Sequence, residues 1–153
     1  MTGVHTSSDV RHTIRRASLG VALPIDSVTQ MNDSTKAVNF AEKFATFDDY
    51  WHPRIVGALN GQLVKVAKVK GEFDWHFHEL EDELFLVMRG TLQMQLRDGV
   101  VNIGPGEFYI VPRGVEHRPV AEEEVHMVLF EPEATGHTGN VVTEKTRHTL
   151  EWI

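Results

Sequence analysis

The sequence predicts an all-β fold, an antiparallel sandwich or barrel. From Arg54 onwards, about nine short segments have the composition and alternation of β-strands. Gly, Pro, Asn or Asp residues separate these segments at intervals of about eight to twelve residues. Asn60-Gly61, between two such segments, is typical of a two-residue type I′ hairpin turn. Neither an internal repeat nor a helix-rich domain is visible.

Composition narrows the class of protein. A chain of 153 residues fits one domain with a sizeable core. The net charge of −7 argues against a nucleic acid or an anionic membrane as the partner. No apolar run approaches the ~20 residues that span a bilayer. Cysteine is absent, which excludes disulfides and thiolate chemistry and agrees with the cytoplasmic location that we expect.

The first 33 residues differ in composition from the rest. They are rich in Ser, Thr and Gly, and Arg15-Arg16 precede a short apolar patch at Leu19–Ile25. This patch is too short for an export signal, and no cleavage site of the A-x-A type follows it. We therefore predict an N-terminal arm over 1–33, flexible or packed at an interface, or a second natural start at Met31; an organellar presequence is the alternative that composition leaves open. Residues 34–153 are predicted to form one domain.

The chain after the arm divides into segments by periodicity and turn residues. Lys36–Tyr50 is expected to form a strand leading into a short helical turn, and Asp48–Pro53 a loop. The Gly-containing tail, Thr135–Ile153, ends in apolar residues and is expected to pack on the barrel or across a dimer. The predicted strands are Arg54–Leu59, Gln62–Lys70, Phe73–His78, Glu83–Arg89, Thr91–Leu96, Val100–Ile103, Glu107–Val111, Glu116–Val120 and Val125–Phe130.

Two polar pieces suggest a metal site. His76 and His78 are two apart in a predicted strand, so both imidazoles leave the chain on the same face. Glu83 can open the next strand facing the same space, after an acidic turn at Glu79–Asp82. His117 follows a Pro-x-Gly turn in the second piece. Three neutral imidazoles and one carboxylate suit one divalent ion of Fe, Mn, Ni, Zn or Cu.

The same residues carry a resemblance to the cupins. The first cupin motif, G-x5-H-x-H-x3,4-E-x6-G, is filled by Gly71, His76, His78, Glu83 and Gly90. One departure is that only four residues separate Gly71 from His76. The second motif, G-x5-P-x-G-x2-H-x3-N, is matched by Gly106, Pro112, Gly114 and His117, and Ala121 replaces the closing Asn. Glycines 90, 106 and 114 are expected to have positive φ at strand ends.

The resemblance extends from about Asn39 to Ile153 and implies a double-stranded β-helix, the jelly-roll cupin barrel. It also implies metal binding by His76, His78, Glu83 and His117, with Fe, Mn, Ni or Zn as the ion. The chain looks most like the small single-domain cupins described as phosphomannose-isomerase-like or RmlC-like. Since small cupins tend to be homodimers, we expect a homodimer that binds a small molecule.

Other polar residues have weaker claims to the site. His126, in the last predicted strand, is a weak catalytic candidate, because it could line the cavity as an acid, a base or a hydrogen-bond donor. A core histidine bonded to backbone is an equal alternative. Glu81 and the Glu83 carboxylate itself are the other candidates for an acid or a base, and spacing favours none of the three. Arg113 could face a carboxylate or phosphate, but exposure is the commoner fate of such a residue. We expect no role for His137 or for the other histidines of the terminal segments.

Three functions remain open from the sequence. With Fe or Ni the resemblance implies a dioxygenase, and with Mn or Zn an isomerase, lyase or decarboxylase acting on a small carbonyl- or enolate-type molecule. The third is a non-catalytic small-molecule-binding cupin with a structural or spectator metal. A polar pocket of the same residues without any metal is the remaining alternative.

Overall fold

The computed structural model describes residues 36–153, and the whole of the predicted N-terminal arm, 1–33, lies outside them. The first element of this described part is one short helix, α1, at Phe40–Phe44. Asn39 caps it, because its side-chain oxygen accepts from the backbone N–H groups of Ala41 and Glu42 at 2.9 and 3.3 Å. The helical turn predicted for Lys36–Tyr50 is present, whereas the strand predicted before it is not.

Seven strands follow, where the sequence predicted nine. All pair antiparallel, in the order β1-β2-β7-β3-β6, with β4 between β5 and β7. The all-β prediction is confirmed, and the described helix is too short to cross a membrane. The strands are β1 Arg54–Leu59, β2 Gln62–Glu72, β3 Glu83–Arg89, β4 Leu92–Leu96, β5 Gly99–Ile103, β6 Phe108–Val111 and β7 His117–Pro132.

The β1–β2 hairpin has the predicted turn. Asn60 and Gly61 have φ values of 52° and 78°, and a type I′ turn needs positive φ at both central residues. Gly90, Gly106 and Gly114 also have the expected positive φ. These turns fix which residues of each strand face the interior.

The strand predicted for Phe73–His78 is absent. This segment is extended, but within it only His76 forms a β-bridge, to His117. The main chain of the two histidines is joined by reciprocal N–H···O bonds of 3.1 and 2.9 Å. The aromatic residues produced a strand-like pattern, whereas the ladder between β2 and β7 ends at Glu72.

The last two predicted strands, Glu116–Val120 and Val125–Phe130, form the single 16-residue strand β7. The acidic run between them looked like a break in the sequence. It is instead a stretch of strand whose carboxylates point towards solvent. Because β7 pairs with β2, β3 and β4, it connects all parts of the barrel.

Two apolar clusters lie on opposite faces of β2 and β7. The inner cluster fills the barrel and includes Ala67, Val69, Met127 and Leu129. The outer cluster packs α1 against the barrel through Phe44, Phe47, Val56, Val66 and Val128. The tail closes on the barrel as predicted: Trp152 bridges Ile55 of β1, whose backbone bonds to Glu151 and Ile153 at 2.8 and 3.1 Å.

Candidate metal centre

The four side chains that the sequence singled out lie together inside the barrel. His76 and His78 come from the extended segment before β3, Glu83 opens β3, and His117 opens β7. One potential ligand atom from each lies within 4.8 Å of the others. All four side chains are buried, with relative exposures of 3%, 5%, 6% and 0%. Four donors on three parts of the chain therefore surround one small volume.

Hydrogen bonds fix the orientation of two imidazoles. Nδ1 of His76 lies 2.9 Å from Asp74 O, and Nδ1 of His117 lies 2.9 Å from Val115 O. A carbonyl oxygen can only accept, so each Nδ1 carries the proton and each Nε2 keeps a lone pair. This is the arrangement that histidine ligands of metals adopt.

Three of the four donors have buried atoms without a hydrogen bond. These atoms are Nε2 of His78, Nε2 of His117 and Oε2 of Glu83. The Glu83 oxygen lies 3.2 Å from the first nitrogen and 3.6 Å from the second. Buried polar atoms nearly always have a partner, so this cluster of unpartnered atoms could hold a cation. The residues present fit a metal ion.

The electrostatics keep the carboxylate charged. Burial alone would raise the pKa of Glu83, but the contacts with His117 and His78 outweigh it and hold that pKa well below its usual range. Burial and the neighbouring His117 lower the pKa of His76 to about 4. Burial also acts to lower the pKa of His78, but the Glu83 carboxylate outweighs it and raises that pKa.

The turn before β7 and the tail hold the two histidines of the first motif. Gly114, with a φ of 75°, donates its N–H to His78 O at 2.7 Å. On the other side, Asn140 contacts Phe77 twice: its N–H donates to Phe77 O at 3.0 Å, and its Oδ1 accepts from Phe77 N at 2.9 Å. The segment between β2 and β3 is thus ordered without a strand ladder.

Sequence reasoning missed His137. It lines the small inner cavity together with Phe73, His76 and Glu83, and its ring meets Phe73 edge-on at 5.6 Å. Its Nδ1 is buried without a hydrogen bond, and burial lowers the pKa of His137 to about 4. Since it lies 20 positions after His117 in a tail without a motif, the sequence contained no indication of its place.

A buried ion pair in the barrel was also missed. Lys65 of β2 and Glu131 of β7 are 1% and 3% exposed, and their charged atoms are 2.6 Å apart. The ladder of β3 and β7 pairs Leu84 with Phe130, so the next residues along it, Glu83 and Glu131, are neighbours on the inner face. Burial and Glu83 raise the pKa of Glu131 to about 8, although Lys65 acts in the opposite direction.

The structure does not bring His126 to the cluster. Its ring stacks on Phe44 of α1 at 4.6 Å, and its Nε2 lies 2.8 Å from Glu124. His126 shares a face of β7 with Val128, as expected, but that face belongs to the outer cluster, not to the cavity. Arg113 is largely exposed, and its side chain bonds to Asp82 at 3.1 Å.

Fold and site together define a class: small antiparallel β-barrels with a buried cluster of three histidines and one carboxylate. The family description "cupin domain" matches residues 62–131, which include β2 to β7 except for the last residue. A cupin-2 domain protein of Shewanella frigidimarina has a solved structure that is 45% identical. It covers 65% of this chain and 98% of its own, with a TM-score of 0.64. The chain belongs to the cupin family.

Three other proteins are similar to this chain. An uncharacterised Bacillus subtilis protein, YdbB, is 32% identical over 78 residues, which are 50% of this chain. The match spans 63% of that relative's length. A Neisseria meningitidis protein of solved structure is 29% identical, with a TM-score of 0.59 over 64% of this chain and 100% of its own. A hydroquinone 1,2-dioxygenase from Sphingomonas sp. shares the fold alone, at 20% identity and a TM-score of 0.54 over 62% of this chain and 72% of its own.

Proposed function

We propose that this cupin binds one divalent first-row metal ion through His76, His78, Glu83 and His117. The observation that carries the proposal is the buried cluster in which three ligand atoms have no hydrogen bond. Nitrogen and carboxylate donors suit Fe, Mn, Ni or Zn. A bound ion of this kind supplies Lewis acidity to a carbonyl or enolate oxygen.

We further propose that the protein is an enzyme acting on a small carbonyl- or enolate-type molecule. An enzyme of this kind needs a group that exchanges protons beside the ligand cluster. His137 supports this function, because its unpartnered Nδ1 is buried and its ring lines the same cavity as His76 and Glu83. Burial lowers the pKa of His137 to about 4, so the ring is neutral at pH 7 and offers a lone pair or an N–H to a bound molecule. The candidate reactions are those of a dioxygenase, an isomerase, a lyase or a decarboxylase.

The second candidate is a non-catalytic binding module with a structural or spectator metal. The size of the inner cavity favours it, because about 20 Å³ holds one water molecule or ion and no organic substrate. The two candidates differ in one measurable respect: only an enzyme turns over a substrate at the metal.

Metal content tests the proposed site. We expect protein purified without an affinity tag, stripped and reloaded with Fe(II), Mn(II), Ni(II) or Zn(II), to retain one equivalent of at least one of these ions. His78→Ala is expected to lose that equivalent while circular dichroism shows an intact barrel. His52→Ala is the matched control, because His52 contacts Asp49 outside the cluster. A His78→Ala protein that still retains one equivalent would overturn the assignment.

The retained ion then directs the activity screen. Retention of Fe or Ni calls for oxygen-uptake assays with phenolic and dicarbonyl compounds, and retention of Mn or Zn for isomerase, lyase and decarboxylase assays on keto acids and sugar phosphates. Turnover that disappears in His78→Ala supports the enzyme. Stoichiometric metal without turnover in any of these assays favours the binding module.

The proposed unit is one cupin domain over residues 34–153, preceded by an N-terminal arm, in a cytoplasmic homodimer. The outer face of β3 and β6 supports the dimer: Phe108 and Ile110 are 60% and 46% exposed there, beside Leu84 and Leu86. Contiguous exposed apolar residues on an edge strand are typical of an interface.

A further inference from the structure

A second cavity lies against the inner cavity, which two of the proposed metal ligands, His76 and Glu83, line. We name it the outer chamber; its volume is about 480 Å³, within the range of small-molecule sites. The tail encloses it against β1 and β2, and its wall includes Lys65, Thr135, His137 and Arg147. His137 is the one residue that lines both the outer chamber and the inner cavity. A molecule in the chamber would therefore lie next to the side chain that borders the cluster.

The chamber contains polar groups that have no acidic partner. The guanidinium of Arg147 donates to the backbone oxygens of Glu144 and Thr146 at 2.9 and 3.1 Å, and no ion pair with a carboxylate is found for it among residues 36–153. Thr135 is 7% exposed, and its Oγ1 is buried without a hydrogen bond. Lys65, by contrast, is already paired with Glu131.

The titratable groups that line the outer chamber favour an anion as its ligand. They are Lys65, Glu133, His137, Arg147 and His148, and of these Glu133 and His148 are exposed. A different cavity of about 220 Å³ reaches the cluster at His78 and carries Glu79 and Glu81 on its wall. Two carboxylates there would repel an anion. The remaining lining of the outer chamber is threonine and aliphatic, which suits a short carbon chain.

We propose that the outer chamber binds a small organic acid, with its carboxylate on Arg147 and Thr135 and its apolar part against the aliphatic wall. A guanidinium and a hydroxyl provide the fork and the additional donor that a carboxylate accepts. This inference rests on the proposed function: the organic acid is the substrate or ligand of the metal site. It reaches the inner cavity from the outer chamber by way of His137, which lines both.

The probe is hexanoate, with hexan-1-ol as the uncharged molecule of the same chain length. Titrations are monitored by calorimetry and by the NMR shifts of the Thr135 and Thr138 methyl groups, in metal-free and Mn(II)-loaded protein. We expect hexanoate to bind both forms and to shift these methyl groups. Loss of the charged hydrogen bonds in Arg147→Met should weaken binding by about tenfold or more. Arg147→Lys, which keeps the charge without the fork, should be intermediate.

Arg89→Met is the matched control, because Arg89 is an exposed arginine that does not line the outer chamber. Its guanidinium lies 3.9 Å from the carboxylate of Glu124. It should bind hexanoate like the unmodified protein. Equal binding of hexan-1-ol, absence of any binding, or binding that needs Mn(II) and is unchanged in Arg147→Met would each overturn the inference. The last result would place the carboxylate on the metal. If no metal binds at all, the proposed function fails, while hexanoate binding to the metal-free chamber still decides this inference.

Discussion

At the scale of single residues, Lys65 and Glu131 form a buried pair inside the barrel, with their charged atoms 2.6 Å apart. Without Lys65 the Glu131 carboxyl, whose pKa is already raised to about 8, takes up a proton, and this buried group is left without its partner at a cost of about 1–3 kcal/mol. We therefore expect Lys65→Met to lower the free energy of unfolding by about that amount in urea denaturation. The double variant Lys65→Met/Glu131→Leu removes both charges and should recover most of the loss.

Lys70 provides the matched control for the Lys65 and Glu131 variants. It lies on the same strand, but it is exposed and pairs with Glu123 at the surface, 3.0 Å away. Lys70→Met should change the unfolding midpoint little, because exposed pairs contribute little. A Lys65→Met protein as stable as Lys70→Met would show that the buried pair does not need both partners.

His137 gives a prediction for the pH dependence of stability. Its pKa falls from 6.5 to about 4 on folding, chiefly through burial, so the folded state favours the neutral ring. Between these values the unfolded chain binds more protons, and stability must therefore fall as the pH drops from 6.5 to 4. His137→Gln cannot titrate. We expect the metal-free unmodified protein to lose more stability than this variant between pH 7 and 4.5 in urea titrations; equal losses would contradict the assignment.

These residues also show what the sequence could not predict. His76, His78, Glu83 and His117 stand at short, regular spacings, so local pattern sufficed to single them out. Lys65, Glu131 and His137 come together only through the pairing of β2 with β7 and the return of the tail. Such contacts depend on long-range register, and register is set by the whole sheet, not by the neighbouring residues.

At the scale of elements, β7 and the tail do most to position the site. Sequence periodicity predicted β1 and β3 with their observed ends, because turn residues bound them. It was wrong for Phe73–His78, where alternating aromatic residues occur without a partner strand. That segment is instead held by the tail. At Gly139 a Cβ would lie 2.3 Å from Phe77 O, so the backbone of the tail approaches the backbone at Phe77 too closely for any residue except glycine.

The contact between Asn140 and Phe77 can be tested directly. Asn140→Ala removes the side-chain acceptor of Phe77 N–H, a bond that contributes about 1 kcal/mol. Because His76 and His78 flank Phe77, we expect metal affinity to fall several-fold in a chelator competition and the Co(II) absorption spectrum to change. Asn102→Ala, at an exposed position of β5, is the control. Unchanged affinity and spectrum in Asn140→Ala would mean that the histidines hold their positions without the tail.

At the scale of the whole molecule, the barrel has one face that a second copy would cover. β6 is at the end of the strand order, so one of its edges has no partner strand in residues 36–153. Its outward residues Phe108 and Ile110 pair in register with Leu86 and Leu84 of β3, which gives four apolar side chains in one patch. An exposed apolar edge strand favours pairing with another chain, and two-fold homodimers are the commonest assembly.

We therefore expect the protein to sediment as a dimer through this face. Ile110→Lys and Phe108→Lys each place a charge in the patch and should shift the mass in light scattering to that of one chain, at unchanged circular dichroism. Val100→Lys, at a 56% exposed position of β5 away from the patch, should leave the dimer intact. If the proposed metal site is complete within one chain, the monomeric variants will still retain one equivalent of metal per chain. A dimer that survives both substitutions would exclude this face as the interface.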